Sequence, residues 1–129
     1  MAGETIGLID DDRAVRRGLT RLLEACGYRV EAFESADAFL QEQPVTAIDC
    51  LLLDLRLPGT TGLDLYDRLA LRGCQLPIIF ITGHAAALMG TGGRAPLAVL
   101  AKPFAEDALL AAIEAAMAGA PRHPAPTLP

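Results

Sequence analysis

Tryptophan is absent, and aromatic residues make up only 5% of the 129 residues. The core must therefore be built from Leu, Ile, Val and Ala. Basic residues are outnumbered, 11 Lys and Arg against 16 Asp and Glu, for a formal net charge of −5. That balance argues against a nucleic-acid backbone or an anionic membrane as a partner of this chain by itself, because both repel an acidic surface. Cysteines number three, Cys26, Cys50 and Cys74, with no CxxC pair and no histidine at metal-ligand spacing. Each falls in or beside an apolar segment, which predicts buried free thiols in a reducing cytoplasm rather than disulfides or a zinc site. No apolar run approaches the roughly 20 residues that span a bilayer. The start, "MAGETIGLIDDD", lacks the basic and apolar regions of a signal peptide.

What is present is a chain 52% hydrophobic and 21% charged, sized for one globular domain with one core. Strand-like apolar runs alternate with helical patterns. Thr5 to Ile9 reads as the first strand. Val15, Leu19, Leu22, Leu23 and Cys26 then recur at helical spacing, and Gly27 closes that helix. Tyr28, Val30 and Ala32 alternate with charged residues, as in a half-buried edge strand. Ser35 is placed to cap a short helix carrying Ala38 and Phe39, which Pro44 ends.

"CLLLDL" is continuously apolar up to Asp54, the signature of a central parallel strand covered on both faces. "PGTTG" is a loop. The next helix carries Leu63, Tyr66, Leu69 and Ala70 on one face and ends near Gly73. "PIIFIT" is another buried strand and "PLAVLA" the last strand, and Leu109, Leu110, Ile113 and Met117 form the stripe of a last helix over 106–118. Such alternation predicts an α/β fold, a parallel sheet with helices on both faces. The domain is expected over 1–120. The end, "GAPRHPAPTLP", holds four prolines in eleven residues, so 121–129 reads as a Pro-rich tail or linker. Residues 83–96 carry Gly90, Gly92, Gly93 and Pro96 where a fourth helix is due, which predicts at most a turn or two and then a loop.

Polar residues gather at one end of these apolar strands. Strand one ends in Asp10, Asp11 and Asp12, strand three in Asp54, strand four in Thr82, and strand five in Lys102, followed by Pro103. In open parallel sheets ligands bind outside the carboxyl ends of the strands. Three like charges at the end of a buried strand repel one another and need an offset. Carboxylates from adjacent strands make an oxygen-rich site for a hard divalent cation, and Mg²⁺ suits one or two carboxylates plus phosphate oxygens. Asp54 is then a candidate nucleophile, because carboxylates form aspartyl-phosphates. Lys102 supplies a point charge for phosphoryl oxygens, and Thr82 a hydroxyl donor. Asp12 reads as the cap of the first helix.

The motifs "LIDDD", "LLLDLRLPGTTG", "IIFITG" and "LAKPF" together resemble a bacterial two-component response-regulator receiver domain. The resemblance implies a (βα)5 flavodoxin-like doubly wound sheet of strand order 2-1-3-4-5. It implies phosphorylation of Asp54 by a sensor histidine kinase or phosphotransfer protein. It also implies Mg²⁺ held by Asp11, Asp54 and the backbone carbonyl of Arg56, with Asp10 assisting through water. Thr82 matches the switch hydroxyl and Lys102 the invariant lysine, whose bond to Pro103 is cis in the family. Kinase partners of the family dock on helix one, whose polar face here carries Arg13, Arg16, Arg17 and Arg21. A solvated basic face is the simpler reading of those arginines. Arg56 and His84 sit where receiver side chains tune dephosphorylation, and Gly83 leaves space beside a phosphoryl group.

Two departures fall on the usual output face. Receivers carry an aromatic residue three positions before the lysine, where Val99 stands here, and segment 83–96 is unusually rich in glycine. Both predict output through another surface, or through ordering of that loop, and leave the usual homodimer open. Two other functions compete with the switch. A haloacid-dehalogenase-type phosphatase also uses an aspartate nucleophile, but needs a second aspartate where Arg56 stands. A pseudo-receiver binding module would take no phosphate, which sits poorly with the complete acidic and lysine set.

Overall fold

Continuous apolar runs become strands buried on both faces here, and periodic ones become the helices that cover them. The computed structural model describes residues 3–41, 48–73, 76–83 and 98–118. In order these form β1 (Thr5–Ile9), α1 (Arg13–Ala25), β2 (Arg29–Phe33), α2 (Ala36–Gln41) and β3 (Cys50–Asp54). They continue with α3 (Gly62–Leu71), β4 (Ile78–Thr82), β5 (Ala98–Ala101) and α4 (Glu106–Ala118). All strand pairs are parallel, in the order β2-β1-β3-β4-β5. The (βα)5-type sheet order expected from the sequence is the order observed.

Side-chain alternation along the strands splits the core in two. Leu51, Leu53 and Phe80 face α2 and α3, where they meet Phe39, Leu65 and Leu69. Leu8, Leu52 and Ile81 face the other side, against Leu19 and Leu23 of α1 and Leu109 and Ile113 of α4. Each such side chain contributes about 1.5–3 kcal/mol by leaving water. Aromatic pairs are few but placed at joins. Phe33 and Phe39 meet edge to face at 5.3 Å, and Tyr66 and Phe80 pack at 5.8 Å.

The helix ends follow local chemistry. Asp12 accepts hydrogen bonds from the Ala14 and Val15 amides, the capping role read from the sequence. Ser35 Oγ accepts from the Ala38 amide at 3.0 Å. Thr61 and Asp64 form a reciprocal capping box on α3. Gly27 and Gly73 end α1 and α3 with φ of +96° and +74°, a region that favours glycine.

Several details differ from the sequence expectations. In β2 it is Phe33, with Val30, that packs on the core, while Ala32 is exposed. Of the face expected for α3, Leu69 is buried and Leu63 and Tyr66 pack partly buried on the core, but Ala70 faces out, and Gly62 and Leu65 are buried beside them. Helical and strand spacing mark which residues are apolar, and the tertiary contacts decide which of them are fully covered. Cys26 is exposed as the C-cap of α1, not buried as expected. Cys50 is buried as expected, and burial pushes its thiol up to about 12. Cys74, His84, most of the glycine-rich segment and the tail at 121–129 lie outside the described residues. Among the described residues no helix is long and apolar enough to cross a membrane.

Candidate functional site

Strand register brings the acidic residues together. Ile9 pairs with Leu53 across β1 and β3, so the next residues, Asp10 and Asp54, stand side by side at the carboxyl edge. Asp54 in turn pairs with Ile81 of β4, and Thr82 pairs with Ala101 of β5. Lys102 is the residue after Ala101, so it arrives at the same edge from the far side of the sheet. Thr82 is fully buried there, and its carbonyl accepts the Lys102 amide at 2.8 Å. The Lys102–Pro103 peptide bond is cis.

Asp10 is fully buried, and its groups are well occupied. Its Oδ1 accepts the Asp12 amide at 2.8 Å, and its Oδ2 accepts Lys102 Nζ at 3.0 Å. Its amide donates to the Phe33 carbonyl, and its own carbonyl accepts Arg16 Nη1 at 2.7 Å. Asp54 is 6% exposed. Its Oδ1 accepts the Arg56 amide at 3.1 Å, and its Oδ2 lies 3.6 Å from Lys102 Nζ. Asp11 is exposed beside them.

The electrostatics follow from this crowding. Burial pushes the Asp54 carboxyl above its usual range, and the nearby Asp10 and Asp11 charges add to the shift. The Arg56 amide and the Lys102 charge oppose it without cancelling it. Burial also works to lower the Lys102 pKa, but the hydrogen bond and charge of Asp10, with Asp54 behind them, raise it overall. The lysine therefore stays charged, as a buried carboxylate needs.

The donor set fits a hard divalent ion. Asp10, Asp11 and Asp54 each offer a carboxylate oxygen, all within 4.8 Å of one another. Three carboxylates against one ammonium leave an excess of negative charge at a partly buried edge. Oxygen-only donors of that charge suit Mg²⁺ rather than a softer metal.

Two contributors to this edge escaped the sequence reading. Gly62 sits where a Cβ would come within 2.5 Å of the Asp54 carbonyl oxygen and 2.9 Å of Leu55 Cα. Only glycine lets the start of α3 approach the end of β3 so closely. The hint was the second glycine of "PGTTG", which read simply as loop. Arg16 belongs to a face that read as solvated, yet it reaches back to the Asp10 carbonyl. Arg13, Arg17 and Arg21 are exposed, as the simpler reading held. Gly83 is exposed with open space where a side chain would project. Arg56, also exposed, touches Asp54 through its backbone amide.

A family model for the response regulator receiver domain matches residues 6–114. The chain belongs to that family. This receiver domain is 42% identical over 128 residues to the response regulator protein TmoT of Ectopseudomonas mendocina, covering 92% of this chain and 54% of that one. It is 43% identical over 120 residues to the response regulator protein TodT of Pseudomonas putida F1, covering 92% of this chain and 53% of that protein. The chain thus spans about half the length of these relatives. Among solved structures, the non-phosphorylated HemR receiver domain from Leptospira biflexa superimposes with a TM-score of 0.78 at 29% identity, covering 93% of this chain and 98% of that one. Nothing in these relationships favours the phosphatase or the pseudo-receiver, and the position a phosphatase would fill with aspartate holds the exposed Arg56.

Proposed function

We propose that this receiver domain takes a phosphoryl group on Asp54 from a sensor histidine kinase or a phosphotransfer protein, and so works as the switch of a two-component system. The observation that carries this reading is the meeting of Asp10, Asp11 and Asp54 at one sheet edge with Lys102 between two of them. Mg²⁺ would be held by Asp11, Asp54 and the Arg56 backbone carbonyl, with Asp10 assisting through water. When bound, it would supply the positive charge that lets a phosphoryl group approach three carboxylates.

The chain's own residues would do the rest. An Asp54 carboxylate oxygen forms the new P–O bond as the P–N bond to the donor imidazole breaks, and that electron pair leaves with the imidazole, which takes up a proton. The Arg56 amide holds the other Asp54 oxygen. Lys102, already 3.6 Å from Asp54 Oδ2, neutralises charge on the transferred oxygens. Thr82, buried at the end of β4, offers its hydroxyl to them and so couples the modification to β4 and β5. The chain is then a phosphoacceptor that assists its own modification, not a multiple-turnover enzyme. A kinase donor, and Cys26 and Cys50 as free thiols, favour a cytoplasmic location. Residues 1–120 are the working unit, and 121–129 a Pro-rich tail or linker. With Val99 in place of an aromatic and a glycine-rich 83–96 segment, output runs through another surface or through ordering of that loop.

Incubation with acetyl phosphate and Mg²⁺ followed by intact-mass measurement tests the reading. A gain of about 80 Da in the wild type that Asp54→Asn loses is expected. An equal gain in both proteins, or none in either, would overturn it.

A further inference from the structure

The Arg16 side chain reaches from α1 back to the acidic edge. Its Nη1 donates to the backbone carbonyl of Asp10 at 2.7 Å, a short, charge-assisted hydrogen bond across six residues. The guanidinium is half-buried and makes no ion pair with a carboxylate among the described residues. Glu31 and Glu34 line the same cleft beside β2 without pairing to it. Its charge is therefore directed at the turn that carries Asp10, Asp11 and Asp12.

That turn is also held on either side of Asp11, and Lys102 Nζ holds Asp10 Oδ2 at 3.0 Å. The Asp10 amide is tied to Phe33, Asp10 Oδ1 to the Asp12 amide, and Asp12 to the first turn of α1. Asp11 is exposed, and its carboxylate depends on the backbone either side of it for its direction. Arg16 fixes that backbone through the Asp10 carbonyl and adds a positive charge near the aspartates.

We infer that Arg16 is a positioning residue for the cation site, holding the Asp10–Asp11 backbone so that both carboxylates face Asp54. The inference rests on the Mg²⁺ reading above. Partners that orient metal ligands commonly change metal affinity by ten- to a hundredfold. A partly buried contact that goes to the backbone rather than to a ligating carboxylate belongs at the lower end.

The test compares wild type, Arg16→Gln, Arg16→Lys and Arg17→Gln by Mg²⁺ titration in a calorimeter. Amide exchange at Asp10 and Asp12 in metal-free protein is followed alongside, with Leu52 as the internal control for global stability. Arg17 is an exposed neighbour on the same helix, so Arg17→Gln removes the same charge without the contact. Arg16→Gln is expected to weaken Mg²⁺ binding about tenfold, equivalent to about 1.4 kcal/mol. Arg16→Lys, which keeps a charged donor, should fall between it and wild type, and Arg17→Gln should stay near wild type. Exchange at Asp10 and Asp12 should quicken in Arg16→Gln more than at Leu52. Equal Mg²⁺ affinity in Arg16→Gln and wild type, or the same loss in Arg17→Gln, would overturn the inference. If wild type itself binds no Mg²⁺, the metal reading fails, and the exchange data alone then decide: selective quickening sustains the tether, and its absence removes it.

Discussion

Lys102 Nζ lies 3.0 Å from Asp10 Oδ2 and 3.6 Å from Asp54 Oδ2, so the ammonium sits between the two carboxylates and nearer the fully buried one. Asp10 thereby keeps a charge partner, while an Asp54 oxygen is left less committed. On the proposed reading, that asymmetry suits Asp10 to a supporting role and Asp54 to accepting the phosphoryl group.

Removing the lysine should strand the Asp10 charge. Lys102→Met is expected to lower stability by about 2 kcal/mol in denaturant unfolding, somewhat under the usual range for breaking a buried pair because the lysine side chain is 28% exposed. The double variant Lys102→Met, Asp10→Asn should recover part of that loss, since no buried charge is then left alone. Strictly additive losses would show that the pair is not coupled.

The raised pKa of Asp54 fixes a sign for pH dependence. The folded protein holds this proton more tightly than the unfolded chain, whose aspartates titrate near 3.9. The favourable contribution is complete below about pH 3.9 and is lost as pH rises through the higher folded value. Above that window, ionised Asp54 works against the fold. Metal-free Asp54→Asn should therefore melt higher than wild type, by a margin that widens with pH above about 4 and then levels off. A margin independent of pH would show that Asp54 is not strained by its surroundings.

Lys102 has the opposite charge type but the same direction of shift. Its folded pKa is raised by Asp10 and Asp54 against the effect of burial. Its contribution is complete below the unfolded value near 10.4 and is lost as pH rises through the folded one. Alkaline unfolding curves of wild type and Lys102→Met should converge as pH climbs past that point. Parallel curves would contradict the pairing.

Gly62 makes a packing prediction. In Gly62→Ala the new Cβ would press on the Asp54 carbonyl and Leu55 Cα, both backbone atoms that cannot step aside cheaply. A net loss of about 1–2 kcal/mol is expected despite the better helix propensity of alanine, with slower phosphorylation of Asp54. A variant as stable as wild type would mean that α3 can retreat from β3 without cost.

Legibility in the sequence tracked the range of the forces involved. "CLLLDL" and "IIFIT" announced buried strands because burial on both faces demands unbroken apolar runs. The ends of those runs then gave Asp10, Asp54, Thr82 and Lys102, since strand register carries them to one edge. Asp12 and Ser35 were readable as caps because capping is local. Gly62 was not, because its need for glycine arises only when α3 meets β3. Neither was Arg16, whose partner is a backbone carbonyl that no side-chain pattern marks. The degree of burial along α3 was not legible for a related reason: Leu63 and Leu65 both pack on the core, but only Leu65 is fully covered, and Ala70 is left outside.

The most direct test of the central claim is to locate the modified side chain. The protein is treated with acetyl phosphate, with Mg²⁺ or with EDTA, reduced with borohydride to convert an aspartyl phosphate to homoserine, and mapped by peptide mass spectrometry. Conversion confined to Asp54 and dependent on Mg²⁺ is the expected result. Conversion at Asp10 or Asp11 instead, or at Asp54 to the same extent in EDTA, would contradict it.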